Sequence, residues 1–158
     1  VPPAEPGRPG DGTVPQHGRL LIDAANVMGS RPDGWWRDRV GALQRLIAEM
    51  QPLAAARPGP VIVVVEGSAG AALAAGRHGD VEVEHAARGG RDAGDDRILE
   101  LLAMTRPARM APEHPDAVVT ADRTLIGRAE AQGATVVRPS ALLRALHLPD
   151  RPYEPPCR

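Results

Sequence analysis

The sequence has no lysine and no phenylalanine, and 158 residues hold one asparagine, one tyrosine, one cysteine and two tryptophans. Without lysine there can be no P-loop, whose lysine reaches the nucleotide phosphates, and no lysine-dependent phosphoacceptor domain. A lone cysteine, Cys157 in a Pro-rich tail, excludes a disulfide within this chain and fits a reducing cytoplasm. With that cysteine in the tail and no G-x-S-x-G, a nucleophilic triad is not expected. No apolar run approaches the ~20 residues that span a bilayer, and proline and glycine stand where a signal peptide carries its apolar segment. No membrane partner is therefore expected. The net charge of −1 gives no global positive field, so a nucleic-acid partner would have to be held by a local arginine patch. With so few aromatics, the core must be built from Ala, Val, Leu and Ile.

What is present is an alternation of apolar runs and amphipathic stretches. The length suits one domain over 18–148, between a Pro/Gly-rich flexible arm (1–17) and a Pro-rich tail (149–158). Strands are predicted at Arg19–Asp23, Pro60–Val65, Val81–Glu84 (alternating, hence an edge), Ala117–Thr120 and Ala134–Val137. Between them the patterning predicts helices at about Trp35–Met50 (stopped by Pro52), Ala69–Ala75, from Asp95 to before Pro107, Arg123–Ala131 and Ala141–His147. Strands alternating with helices imply right-handed crossovers and an α/β fold, a three-layer αβα sandwich with a mainly parallel five-stranded sheet.

The organising stretch is Arg19-Leu-Leu-Ile-Asp23-Ala-Ala-Asn26. An apolar strand stops at a carboxylate, which the following polar turn leaves at the strand's carboxyl end, where open α/β sheets bind ligands. Asn26 is the single asparagine of the chain. Acids recur at equivalent places: Asp95 and Asp96 open a helix, and Asp122 follows the fourth strand. Singly, each has a structural explanation as an N-cap or a helix-dipole partner. Together they converge on one sheet edge, and crowded carboxylates repel unless a cation sits among them. With no histidine or cysteine cluster nearby, oxygen ligands favour Mg²⁺ or Mn²⁺ over zinc.

Asp95 lies three, four and seven residues before Ile98, Leu99 and Leu102 and shares their inward face, whereas Asp96 is turned about 100° further round. Asp95 is thus the expected direct ligand, and Asp96 an outer or water-mediated one. Glu66, ending the second strand, is an accessory acid. Arg88 and Arg91 flank a glycine-rich loop and are candidates for holding phosphates. Trp35 and Trp36 follow the Asp23 loop; one indole could stack a base while the other joins the core. A dehalogenase-like phosphatase would want Asp-x-Asp where this chain has Asp23-Ala-Ala.

The segments IDAANVMGS, GRDAGDDRILELL and VVTADRTL, in this order and at these positions, resemble the NYN family of PIN-like ribonucleases. The resemblance runs from about Arg19 to Leu146. It implies a PIN-like sheet in the order 3-2-1-4-5, with strands one and four adjacent at the topological switch point. It also implies metal binding by Asp23, Asp95, Asp96 and Asp122, with Asn26 matching the family's asparagine. Some relatives carry a further acid one turn after the strand-four aspartate; here that position is Ile126. The function so implied is a Mg²⁺- or Mn²⁺-dependent, cytoplasmic ribonuclease that cuts RNA endonucleolytically, with Asp23, Asn26, Asp95 and Asp122 as catalytic residues. The alternatives are a non-catalytic RNA or nucleotide binder that keeps the pocket, and a metal-dependent nucleotide phosphohydrolase.

Overall fold

The computed structural model describes residues 13–86, 92–104 and 114–147. Its strands are β1 (Leu20–Asp23), β2 (Val61–Val65), β3 (Gly76–His78), β4 (Val81–His85), β5 (Ala117–Val119) and β6 (Thr135–Val137). Its helices are α1 (Ala24–Gly29), α2 (Arg39–Ala56), α3 (Gly67–Ala71), α4 (Ala93–Ala103), α5 (Arg123–Ala131) and α6 (Pro139–His147). One sheet in the order β3-β4-β2-β1-β5-β6 runs through the molecule, all its pairings parallel except β3 with β4. This is a three-layer PIN-like α/β fold.

The central strands are buried on both faces, which is why β1 and β2 read as unbroken aliphatic runs. Alternation then divides the core. Leu20, Ile22, Val61 and Val63 pack with α1, α2 and α6 on one face, while Leu21, Ile62, Val64 and Val118 pack with Ile98, Leu101 and Leu125 of α4 and α5 on the other. Asp23 follows Leu21 by two residues, so strand periodicity assigns it to the α4/α5 side.

Among the described residues the sheet has six strands, not the expected five. Gly79-Asp80 makes a two-residue turn, with Gly79 at φ 64°, that pairs His78 with Val81. Glycine reaches this left-handed conformation at no steric cost, which is what a tight hairpin needs. The extra strand β3 takes the edge, so Val81–His85 lies inside the sheet instead of bordering it.

The stretch after Asp23 is not a plain turn either. Helix α1 starts at once, because Asp23 caps it by accepting from the Asn26 amide. The helix expected from Trp35 begins at Arg39. A single 3₁₀ turn, Trp35–Arg37, comes first, and Asp38 then caps α2 through the Gly41 amide. Nor does Pro52 stop that helix. Proline removes one intrahelical bond, but Met50 and Ala54 are buried and Leu53 packs on the core, and that burial carries α2 to Ala56. The last arm residues lie against the domain: Val14 packs on the core, and Arg57 donates to the carbonyls of Pro15, His17 and Gly18. Among the described residues no helix is long and apolar enough to cross a membrane.

Candidate functional site

Adjacent parallel strands β1 and β5 deliver Asp23 and the Thr120-Ala121-Asp122 turn to the same carboxyl edge. Asp23 is 8 % exposed. Its Oδ1 accepts from the Asn26 amide at 3.3 Å, and its Oδ2 accepts from the Thr120 hydroxyl at 3.2 Å. The same hydroxyl, fully buried, accepts from the Asp122 amide at 3.1 Å. The Asn26 Oδ1 in turn accepts from the Ala121 amide at 2.8 Å. Two side chains, Asn26 and Thr120, thereby lock the ends of β1 and β5 together around Asp23.

Asp122 takes the capping role open to it as well, its Oδ1 accepting from the Thr124 and Leu125 amides at 2.8 and 3.1 Å. Only one carboxylate oxygen is used in this way, so capping and ligand binding are compatible at this residue. On the other flank, Glu66 at the end of β2 accepts from the Gly94 amide at 2.8 Å and so fixes the start of α4. A Cβ at position 94 would lie 2.7 Å from Glu66 Oε2, so a larger residue there would push the end of this side chain aside.

Asp95, in the first turn of α4, joins Asp92 and Asp122 in lining a cavity of about 150 Å³, with Leu99, Thr124, Leu125 and Arg128 completing the wall. Asp96 is exposed and lies outside that cavity. Burial, opposed by the bonds from Asn26 and Thr120 and reinforced by Glu66 and Asp122, pushes the Asp23 carboxyl up to about 6. Burial followed by the charges of Asp23, Asp122, Asp92 and Glu66 pushes Asp95 up to about 6 as well. Acids on four elements therefore feel one another, and among the described residues none of them makes an ion pair.

The donor set is all oxygen, negative and mutually repelling, which suits a hard divalent cation. The acids are not drawn into a finished shell: among the described residues no three Asp, Glu, His or Cys side chains sit as close as a preformed metal site requires. Trp35 and Trp36 meet edge-to-face at 6.2 Å between ring centroids. Trp35 packs against the core, and Trp36 is 57 % exposed. Guanidinium carbons lie over both indoles, Arg37 at 6.0 Å from the Trp36 centroid and Arg39 at 5.5 Å from that of Trp35. Arg88 and Arg91 lie outside the described residues. Three residues of this edge were not singled out in the sequence. Thr120 was legible only as part of a strand end, Asp92 as part of a glycine-rich loop, and Arg128 as one surface arginine among many.

A buried PIN-like sheet with acids gathered at its carboxyl edge is the class these features define. Among solved structures the chain is similar to Rae1 (YacP) from Bacillus subtilis. A tryptophan-to-leucine mutant of that protein matches at 25 % identity and a TM-score of 0.64, covering 82 % of this chain and 75 % of the other. A second structure of Rae1 matches at 24 % identity and a TM-score of 0.61, covering 82 % and 74 %. No family model and no curated protein matches the chain.

Proposed function

We propose that this protein is a metal-dependent ribonuclease that cuts RNA internally. The observation that carries the reading is the set of acids, Asp23, Asp95 and Asp122, that gather at one sheet edge with no ion pair among the described residues, where burial and neighbouring negative charge raise the carboxyls of Asp23 and Asp95. Likeness of fold to Rae1 and the NYN-type motifs support the same class. Asp23, Asp95 and Asp122 would hold Mg²⁺ or Mn²⁺, with Asp96 further out. When bound, such an ion supplies Lewis-acid charge neutralisation and eases the ionisation of water.

The chain's own residues then do the rest. The Thr120 hydroxyl and the Asn26 amide fix which Asp23 lone pairs remain available. Asn26, by holding the Ala121 amide, keeps the strand-end turn that presents Asp122. Glu66 sets the height of α4, and with it Asp95. Arg88, Arg91 and the exposed face of Trp36 are the remaining candidates for RNA contact, by phosphate pairing and base stacking. Incubating the purified protein with end-labelled RNA and Mn²⁺ should give internal fragments that EDTA abolishes. Binding without cleavage at any metal concentration would sink the enzyme reading in favour of a binding domain, and release of phosphate from free nucleotides alone would favour a phosphohydrolase.

A further inference from the structure

The cavity lined by the acids also has one cationic residue in its wall. Arg128 of α5 lines it, is exposed, and among the described residues makes no hydrogen bond or ion pair. An arginine near three carboxylates ordinarily pairs with one of them, so a guanidinium left with its whole fork of donors is held at a distance. Its mount is rigid. Leu125 and Ala129 on either side of it are fully buried, and Asp122 caps the helix with two bonds. Thr124 stands four residues before Arg128 on the same helical face and lines the same cavity. Along α5 the cavity therefore meets a carboxylate, a hydroxyl and a guanidinium in turn, over a floor of Leu99 and Leu125.

We propose that Arg128 binds a phosphate of the RNA, next to the acids, with the Thr124 hydroxyl as a second donor. This rests on the ribonuclease reading for its substrate. A phosphate entering an acid-lined cavity is repelled by every carboxylate that lacks a cation. A planar fork of N–H donors lining the same cavity offsets that repulsion and fixes the phosphate bidentately. The competing role for Arg128 is structural, since a cation in the last turn of a helix complements its dipole.

The test uses the full chain, as wild type, Arg128→Ala and Arg128→Lys, with one RNA oligonucleotide carrying either a 5′-hydroxyl or a 5′-phosphate. Cleavage is followed in Mn²⁺, and binding by fluorescence anisotropy in Ca²⁺ over a salt series. Arg128→Ala should raise KM and Kd about tenfold, leave kcat within about threefold, and lower the salt slope by about one phosphate contact. Arg128→Lys should restore the salt slope but only part of the affinity. A loss with both oligonucleotides marks an internal phosphate, and a loss with the 5′-phosphate alone marks the terminal one; both support the proposal. Unchanged KM, Kd and slope in Arg128→Ala overturn it, and a lower melting temperature with affinity retained assigns Arg128 to the helix dipole instead. If the wild type binds RNA with an Arg128-dependent slope yet cleaves none, the ribonuclease reading falls and the phosphate site stands. If the wild type cleaves and Arg128→Ala matches it, the reverse holds.

Discussion

The two edges of the sheet treat charge in opposite ways. At the amino edge, before β1, β2 and β5, the charges are matched. Arg19 meets Asp116 at 2.6 Å through its terminal nitrogen and adds bonds from its Nε and its backbone amide. Arg57, 7 % exposed, gives its donors to the carbonyls of Pro15, His17, Gly18 and Pro60. At the carboxyl edge, Asp23, Asp95, Asp122 and Glu66 gather, and among the described residues no cation is paired to any of them. Burial without compensation costs free energy, which protonation or the cation we propose would relieve. One edge holds the fold together, and the other is the one we propose takes a ligand.

The comparison breaks most visibly in activity. Asp23→Asn and Asp122→Asn should each lower RNA cleavage by more than the ~10–100-fold typical of losing a supporting partner, while circular dichroism stays native. Near-wild-type turnover of either variant at saturating Mn²⁺ would remove that acid from the site. At the matched edge the loss should fall on stability. Asp116→Ala takes the carboxylate from Arg19, which keeps its bond to the Leu101 carbonyl, and should cost about 1.5–3 kcal/mol in urea unfolding, with metal binding by the folded fraction unchanged. A cost below about 1 kcal/mol would reduce this pair to a surface contact.

The next effect is in pH. The Asp23 carboxyl is raised from 3.8 to about 6, so the folded metal-free protein holds this proton more tightly than the unfolded chain. Its contribution therefore favours folding below about pH 4 and is lost as pH rises through about 6, on the order of 2–3 kcal/mol. Asp95 acts in the same direction but is half-exposed and counts for less. The difference in unfolding free energy between Asp23→Asn and wild type should grow in the variant's favour from acid to neutral pH. A difference that stays flat with pH would show that Asp23 titrates normally. The smallest contrast lies within α4: Asp95→Ala should weaken Mn²⁺ binding more than Asp96→Ala, and the opposite order would make Asp96 the direct ligand.

Much of this was legible before any coordinates. Continuous aliphatic runs marked β1, β2 and β5, and the acids that end or follow them located the carboxyl edge. Helix phase turned Asp95 inward and Asp96 outward, though of the apolar residues it relied on only Ile98 is fully buried, with Leu101 rather than Leu99 or Leu102 beside it. The misses share a physical cause, the override of local signals by packing. Pro52 reads as a stop, yet the core contacts of Met50, Leu53 and Ala54 hold the helix through it. Val81–His85 reads as an edge, and only the Gly79-Asp80 turn hints that another strand covers it. Thr120 could not be singled out, since a threonine at a strand end is unremarkable until the pairing of β1 with β5 brings its hydroxyl to Asp23. Arg128 is a site candidate only because α4 and α5 meet around one cavity, which no pattern within α5 reveals.

Calorimetric titration of Mn²⁺ into the metal-free protein, at about pH 7.5 and about pH 5, tests the central claim most directly, because metal and protons compete for the same carboxylates. At the higher pH, binding should be measurable and accompanied by proton release; at the lower it should be much weaker, and in Asp23→Asn it should be lost at both. Binding of equal strength in wild type and Asp23→Asn, or no binding at the higher pH, would contradict the account and leave the unpaired acids at this edge without their cation.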